Sequence, residues 1–379
     1  MAVAGIICEY NPLHLGHQKQ IDLLRSQGFQ IVCLMSGNFV QRGHPAIFDK
    51  MRRARAAMEC GADLVLELPI VSALSSAEGF ARGGVSILSR LCDTLCFGAE
   101  NADAEQLMVI ADALLSAQFS QKLRPYLDCG LSFPTARDRA LADLGFARDL
   151  LQTPNNILGI EYCKAIRTQN STMTILPIHR EGSYHAELPD PENPSATALR
   201  NLLIQAENWQ NYVPNTTIGC FENAPIHTLQ HGQQAILYRL RTMTDSEFEA
   251  LPYGNEGLWR KLMYASRSCD SLEAIIAATK SKRYTRTRID RMILCAFLGL
   301  RVQDLTAPIP YCRVLGFNDA GRSILRNARE DGFFINIGTD TRHPFQLIEH
   351  RATALYGLFT HAPESPEAER HYRVYYKKD

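Results

Sequence analysis

The sequence predicts an α/β protein whose first part is a Rossmann-like, doubly wound parallel sheet, and two observations carry that expectation. Short, continuous apolar runs recur along roughly the first two hundred residues, and amphipathic helical stretches separate them. Residues 2–8 and 30–36 ("QIVCLMS") read as strands. Between them His17 to Gln27 has helical periodicity, with Ile21, Leu23 and Leu24 facing inward. Asp49 to Cys60 reads as a helix that ends at Gly61, and Asp63 to Leu68 ("DLVLEL") as a strand closed by Pro69. A helix from Ala77 to Leu91 and a strand from Thr94 to Phe97 follow. Residues 104–150 read as helical, broken at Gly130 and Pro134, and 172–178 ("TMTILPI") supply a fifth strand. The first domain is expected to span 1–210.

Past "NYVPNTT" the texture changes to consecutive helices, near 230–242, 245–251, 256–267, 271–280 and 285–300. These define an expected helical domain over 211–305. The remainder, 306–379, is expected to form a small mixed α/β segment with strands at 311–317 and "FFINIG", a helix through Ala328 and a last helix near 345–360. From Pro363 the tail is polar and charged, which predicts fraying apart from "YRVYY".

Composition bounds the function. Hydrophobic residues make up 46% of the 379 and charged residues 21%, which excludes a disordered chain. Forty basic residues balance forty acidic ones, so a nucleic-acid partner must meet a local patch. The eleven cysteines are scattered, and the closest pair, Cys92 and Cys96, lacks zinc-site spacing, which fits reduced thiols. The opening strand is too short for a signal peptide or a membrane span, so a cytoplasmic location is expected.

In an open α/β sheet, ligands bind beyond the carboxyl ends of the strands, where helix N-termini offer amides and partial positive charge. "EYNPLHLGH" (9–17) sits at that junction after the first strand. Gly16 lets a phosphate approach, and His14 and His17 can both donate to phosphate oxygens as pyrophosphate leaves. An isolated HxGH is also compatible with a cap plus a surface residue; its place between strand and helix favours the phosphate reading. Zinc is not expected, because Glu9 and Asp22 are not arranged to complete a site with the histidines.

"NPSATALR" supplies a distal partner, with Ser195 and Thr197 as hydroxyl donors and Arg200 as the cation; alone it would read as a capped helix. Asn38, Gln41 and Arg42, in the glycine-flanked loop after the second strand, are the candidates for a small anionic substrate. Arg52, Arg53 and Arg55 read as the solvated face of a helix. Gly98 in "FGAE" and Asn155 and Asn156 in "PNNILGIEY" fall on the same ligand edge. "KSKRYTRTRIDR" gathers Lys280, Lys282, Arg283, Arg286, Arg288 and Arg291, a footprint suited to a phosphate backbone, with a solvated helix face as the plain alternative.

Taken together, "EYNPLHLGH", "SGNFVQRG", "PAIFDKMRRARAA", "GADLVLELP", "FGAE", "NNILGIEY" and "SATALR" resemble the tRNA(Met) cytidine acetate ligase family, a branch of the HxGH nucleotidylyltransferases. These blocks are spread over residues 3–200. The resemblance implies an enzyme that joins acetate to ATP as acetyl-adenylate and passes the acetyl group to N4 of the wobble cytidine of elongator tRNA(Met). It also implies an ATP site from Ile7 through Cys8, Glu9, Tyr10, Asn11, Pro12, Leu13, His14, Leu15, Gly16, His17, Gln18 and Lys19 to Gln20, completed by Gly98, Asn155 and Arg180. Leu13, where the family often has Phe, and His44, where an acidic residue is common, depart from its pattern. Magnesium is expected to accompany ATP, without a dedicated ligand set. A small-molecule adenylyltransferase and a noncatalytic RNA-binding protein stand as alternatives; the C-terminal basic cluster argues against the first and the intact site residues against the second.

Overall fold

A computed structural model describes residues 1–146, 151, 153–180, 190, 194–328 and 332–378. Five strands follow the expected order: β1 (Val3–Cys8), β2 (Gln30–Ser36), β3 (Leu64–Leu68), β4 (Thr94–Ala99) and β5 (Thr174–His179). All pair in parallel, with β1 between β2 and β4. The chain steps outward from β1 through β2 to β3 and then crosses back to β4 and β5 on the other side. The order therefore reverses between β1 and β4, and it is there, at the carboxyl ends, that such sheets open a ligand crevice.

Three C-terminal strands extend the same sheet: β6 (Cys312–Phe317), β7 (Phe334–Asn336) and β8 (Tyr375–Tyr376). β6 runs antiparallel to β3, while β7 and β8 share its other edge. The described strands of 306–379, expected as a small mixed α/β segment, thus join the sheet of the first part of the chain. Strand pairing between positions some 250 residues apart leaves no local signature. The helices relevant to the site are α1 (Leu15–Ser26), α2 (Lys50–Glu59), α3 (Ala77–Leu88), α4 (Pro154–Thr168), α5 (Ala196–Ile204), α6 (Arg286–Leu298), α7 (Pro344–Tyr356) and the short α8 (Ala368–His371). Residues 104–150 break at Ser116 as well as near Gly130: Ser116 ends one helix and caps the next. Leu23, expected inward on α1, is 38% exposed.

Among the described residues, apolar faces assemble into three cores. Two lie on the faces of the sheet, around Leu34, Leu66 and Phe97 and around Ile6, Met35 and Phe48 respectively. The third joins the helices between 229 and 300 to α7 and anchors them on Phe39, Ile70, Val71 and Leu74.

The tail is not frayed throughout. Glu369 in α8 is 2% exposed and completes a buried charge network. Lys50 Nζ lies 2.9 Å from Glu67 and 2.8 Å from Glu369. Arg313 meets Glu67 at 2.6 Å and Glu349 at 3.2 Å, and also pairs with Glu369. Three carboxylates thus surround two cations. Burial pushes Glu349 up to about 7 against the pull of Arg313. Glu369 resists the same burial because Lys50 and Arg313 hold its carboxyl down at about 2.

Candidate active site at the β1–β4 crevice

A cavity of about 780 Å³ opens at the carboxyl ends of β1 and β4, within the range of roughly 300–1,000 Å³ usual for ligand sites. Its floor is the turn after β1. Glu9 Oε1 accepts the Gln41 amide at 2.7 Å, Asn11 Oδ1 accepts the Ile47 amide at 2.7 Å, and the Asn11 carbonyl accepts Arg200 Nη1 at 2.8 Å. This short segment therefore binds together β1, the hairpin at 39–47 and α5.

His14 caps α1 through its Nδ1, which accepts the Gly16 amide at 3.2 Å; His17 Nδ1 accepts the His14 amide at 3.3 Å. The rings stack at 3.7 Å. A ring nitrogen that accepts a backbone N–H carries no proton, so each neutral imidazole holds its hydrogen on Nε2. Burial, followed by Arg180 and Arg200, lowers His14 to about 3. His17 is lowered by burial, then by His14 and Arg180. Both are neutral donors near pH 7. His14 Nε2 is buried with no hydrogen-bond partner, a donor that a phosphate oxygen satisfies. Helix amides play a smaller part than the sequence suggests: the Gly16 N–H goes to His14 Nδ1, and those of His17 and Gln18 to the His14 carbonyl. A Cβ on Gly16 would come within 3.1 Å of the His14 ring.

On the opposite wall, Ser195 caps α5 by accepting the Ala198 amide at 3.0 Å, while Arg200 Nη2 donates to Thr197 Oγ1 at 3.0 Å. Arg180 biases both histidines toward neutrality, and Arg200 acts on His14 as well. Gly98, Asn155 and Arg180 line the β4 side. Asn155 Nδ2 donates to Glu100 at 2.8 Å, and the Asn156 amide donates to the same carboxylate. Glu100 thereby fixes the start of α4.

Of the expected ATP residues, Ile7 through Asn11, His14, Gly16, His17, Lys19, Gln20, Gly98, Asn155 and Arg180 line the cavity, as do Ser195, Thr197, Arg200, Gln41 and Arg42. Pro12, Leu13, Leu15 and Gln18 do not. Leu13 is fully buried in the core, and Gln18 turns to Asp22 and the Cys60 carbonyl. Asn38 is structural rather than substrate-facing: it is buried, accepts the Lys50 amide and donates to Thr353. The α2 arginines are not uniformly solvated either. Arg53 is fully buried and gathers the carbonyls of Glu9, Ser36, Gly37 and Phe48, so it sets the two loops that floor the cavity. His227, Thr228 and Leu229 line the far wall unannounced by any motif.

The basic cluster lies outside the cavity and is partly spent internally. Arg286 pairs with Glu273, Arg288 donates to the Tyr253 carbonyl at 3.0 Å, and Arg291 sits over the Tyr253 ring. Lys280, Lys282 and Arg283 are exposed, with Arg283 3.1 Å from Glu256.

A family model described as HIGH Nucleotidyl Transferase matches residues 1–371. The chain is 39% identical over 354 residues to the tRNA(Met) cytidine acetate ligase of Clostridium novyi (strain NT), covering 87% of this chain and 88% of that protein. It is 36% identical over 387 residues to the ligase of the same name from Clostridium acetobutylicum, covering 94% and 96%. The crystal structure of Thermotoga maritima TmcAL in its apo form superposes with a TM-score of 0.92 at 27% identity, and that bound with alpha-thio ATP with 0.88 at 28%, each over the whole of both chains.

Proposed function

Because the chain belongs to the tRNA(Met) cytidine acetate ligase family of HIGH nucleotidyl transferases, we propose that its cavity activates acetate with ATP and acetylates N4 of the wobble cytidine of elongator tRNA(Met). The observation that carries this reading is the His14–His17 pair, held as neutral Nε2–H donors beside Arg180 and Arg200. In the first step an acetate oxygen attacks the α-phosphorus, the α–β bridging bond breaks, and pyrophosphate departs with the electron pair. Donors fixed in advance stabilise the charge that builds on the phosphates, and their tautomers are already set by the backbone. In the second step the cytosine amine attacks the acetyl carbonyl and AMP departs.

No acyl-enzyme is needed. The Cys8 thiol, though on the cavity wall, is raised well above its ordinary range, chiefly by burial, and burial pushes Cys96 up to about 11. Magnesium travels with the nucleotide in this account. Glu9 is the sole carboxylate among the described lining residues and is committed to the Gln41 amide, and among the described residues no three His, Cys, Asp or Glu side chains converge as a metal site. ATP and tRNA meet in the cytoplasm, where we place the reaction; no described helix is long and apolar enough to cross a membrane. The test is ATP–pyrophosphate exchange: it is expected to require acetate, and exchange indifferent to acetate contradicts the reading.

For the tRNA surface, Lys280, Lys282 and Arg283 are the cluster members we assign to phosphate contact. Replacing the three with glutamine is expected to weaken tRNA binding and to reduce the log–log salt slope by about 2–3. Filter binding over a salt series checks this, and an unchanged slope contradicts it. Arg286→Gln alone is expected to do less, since it mainly releases Glu273.

A further inference from the structure

Acetyl transfer leaves a proton on the attacking amine, and three histidines on the cavity wall, His44, His179 and His227, are not used by the adenylation step. His44 lies on the hairpin at 39–47, whose Gln41 and Ile47 amides are tied to Glu9 and Asn11 of the turn after β1, and it lines the same cavity as His14 and His17. Arg200, which lines the same cavity, lowers both His14 and His44. Behind His44 stands Asp290 of α6. Its side chain is 2% exposed, both carboxylate oxygens lack a hydrogen bond, and Oδ2 is 3.7 Å from His44 Nε2 and 3.6 Å from Arg286 Nε. A buried carboxylate without a donor is costly unless a charged partner is supplied.

The hairpin is seated directly on α6. Gly43 has φ +84°, and a Cβ there would fall 2.6 Å from the Arg291 amide nitrogen and from the Asp290 carbonyl carbon, so only glycine allows this approach. Lys280, Lys282 and Arg283 precede the same helix in the chain.

Resting on the acetyl-transfer reading above, we infer that His44, positioned by Asp290, is the base that takes the proton from the exocyclic amine of the acceptor cytosine. The amine nitrogen bonds to the acetyl carbon, the bond from that carbon to the adenylate oxygen breaks, and AMP leaves with the electron pair. The amine proton passes to His44, whose imidazolium then faces the Asp290 carboxylate, and is released to water. His227 also lines the cavity and bonds Glu364 at 3.1 Å, but its side chain is 1% exposed against 37% for His44 and lies flat on Tyr356 at 3.8 Å. His179 is exposed, but its Nδ1 is bonded to the Glu100 carbonyl at 3.0 Å; among the described residues, His44 is the one of the three that faces a buried carboxylate.

The charged neighbours set the pH response. Arg42, Arg200 and Arg286 face His44 along with Asp290, and burial followed by these arginines lowers His44 to about 4. Arg286, Arg291, Glu273 and His44 face Asp290, which burial raises to about 7. A carboxylate needed in its ionised form loses effect as pH falls through that value, so transfer should slow below about pH 7.

The experiment uses full-length wild type, His44→Gln and Asp290→Asn, with acetate-dependent ATP–pyrophosphate exchange and single-turnover acetyl transfer to an elongator tRNA(Met) transcript measured on each preparation. His44→Gln is expected to slow transfer by about 10²–10⁴-fold, exceeding its effect on exchange by at least roughly 30-fold. Asp290→Asn is expected to slow transfer less and to abolish the decline below about pH 7. Equal losses in both assays, or transfer at the wild-type rate, overturn the inference alone. Wild-type enzyme that fails to acetylate the transcript overturns the parent reading and this inference with it.

Discussion

Replacing His14 with asparagine is expected to slow acetate-dependent ATP–pyrophosphate exchange by about 10²–10³-fold with little change in the midpoint of unfolding. The two readouts separate because His14 has two tasks at two atoms. Nδ1 caps α1, a role that asparagine's side-chain oxygen fills well; Nε2–H is the unpartnered donor in the cavity, and asparagine is too short to replace it. His14→Ala loses both and is expected to cost a further ~0.5–2 kcal/mol of stability. His17→Ala should resemble it in exchange. The double variant should fall short of the product of the two losses, since each ring packs on and orients the other. Because burial keeps both rings neutral, the exchange rate should not decline as pH rises through about 6.5, the ordinary histidine value. A decline there would mean that imidazolium rather than imidazole does the work.

Arg313→Met is expected to destabilise the fold by about 3–5 kcal/mol, read as a lower denaturant midpoint at unchanged slope. Arginine's loss leaves Glu67, Glu349 and Glu369 sharing Lys50 alone in a site with almost no water. Glu349, already pushed up to about 7, would take a proton and relieve part of this. Glu349→Gln should therefore cost much less, since it fixes the neutral form and keeps an oxygen for the Ile70 amide. Exchange activity should fall with Arg313→Met as well: Lys50 opens α2, and one turn later Arg53 holds the carbonyls of Glu9 and Gly37. A variant that unfolds at the wild-type midpoint would show that the network contributes no net stability.

Local patterns predicted local structure well. The five parallel strands and α1, α2, α3 and α5 lie within a few residues of where apolar runs and caps put them, because burial on both faces demands continuous apolar strands. His14, Gly16, His17, Ser195, Thr197 and Arg200 were legible for a related reason: they occupy strand–helix junctions, where a doubly wound sheet brings its ligand groups together. What escaped depends on distant partners. Arg53 looks like Arg52 and Arg55 in the sequence, and only the converging carbonyls of two loops distinguish it. Glu369 sits in a charged tail whose composition suggests solvent, yet Lys50 and Arg313 draw it inside. Asn38 resembles a loop donor until Thr353 and the Lys50 amide claim it. Asp290 reads as one acid among many bases; its isolation from hydrogen-bond donors appears only when the 39–47 hairpin closes over α6.

In the proposed reaction the acetyl group reaches a tRNA base from an adenylate made in this cavity. An elongator tRNA(Met) transcript incubated with the enzyme, ATP and isotopically labelled acetate, then digested to nucleosides and weighed by mass spectrometry, tests that directly. Labelled N4-acetylcytidine at the wobble position, absent when ATP is omitted, is the predicted result. Pyrophosphate and acetyl-adenylate formed without any labelled cytidine would contradict it.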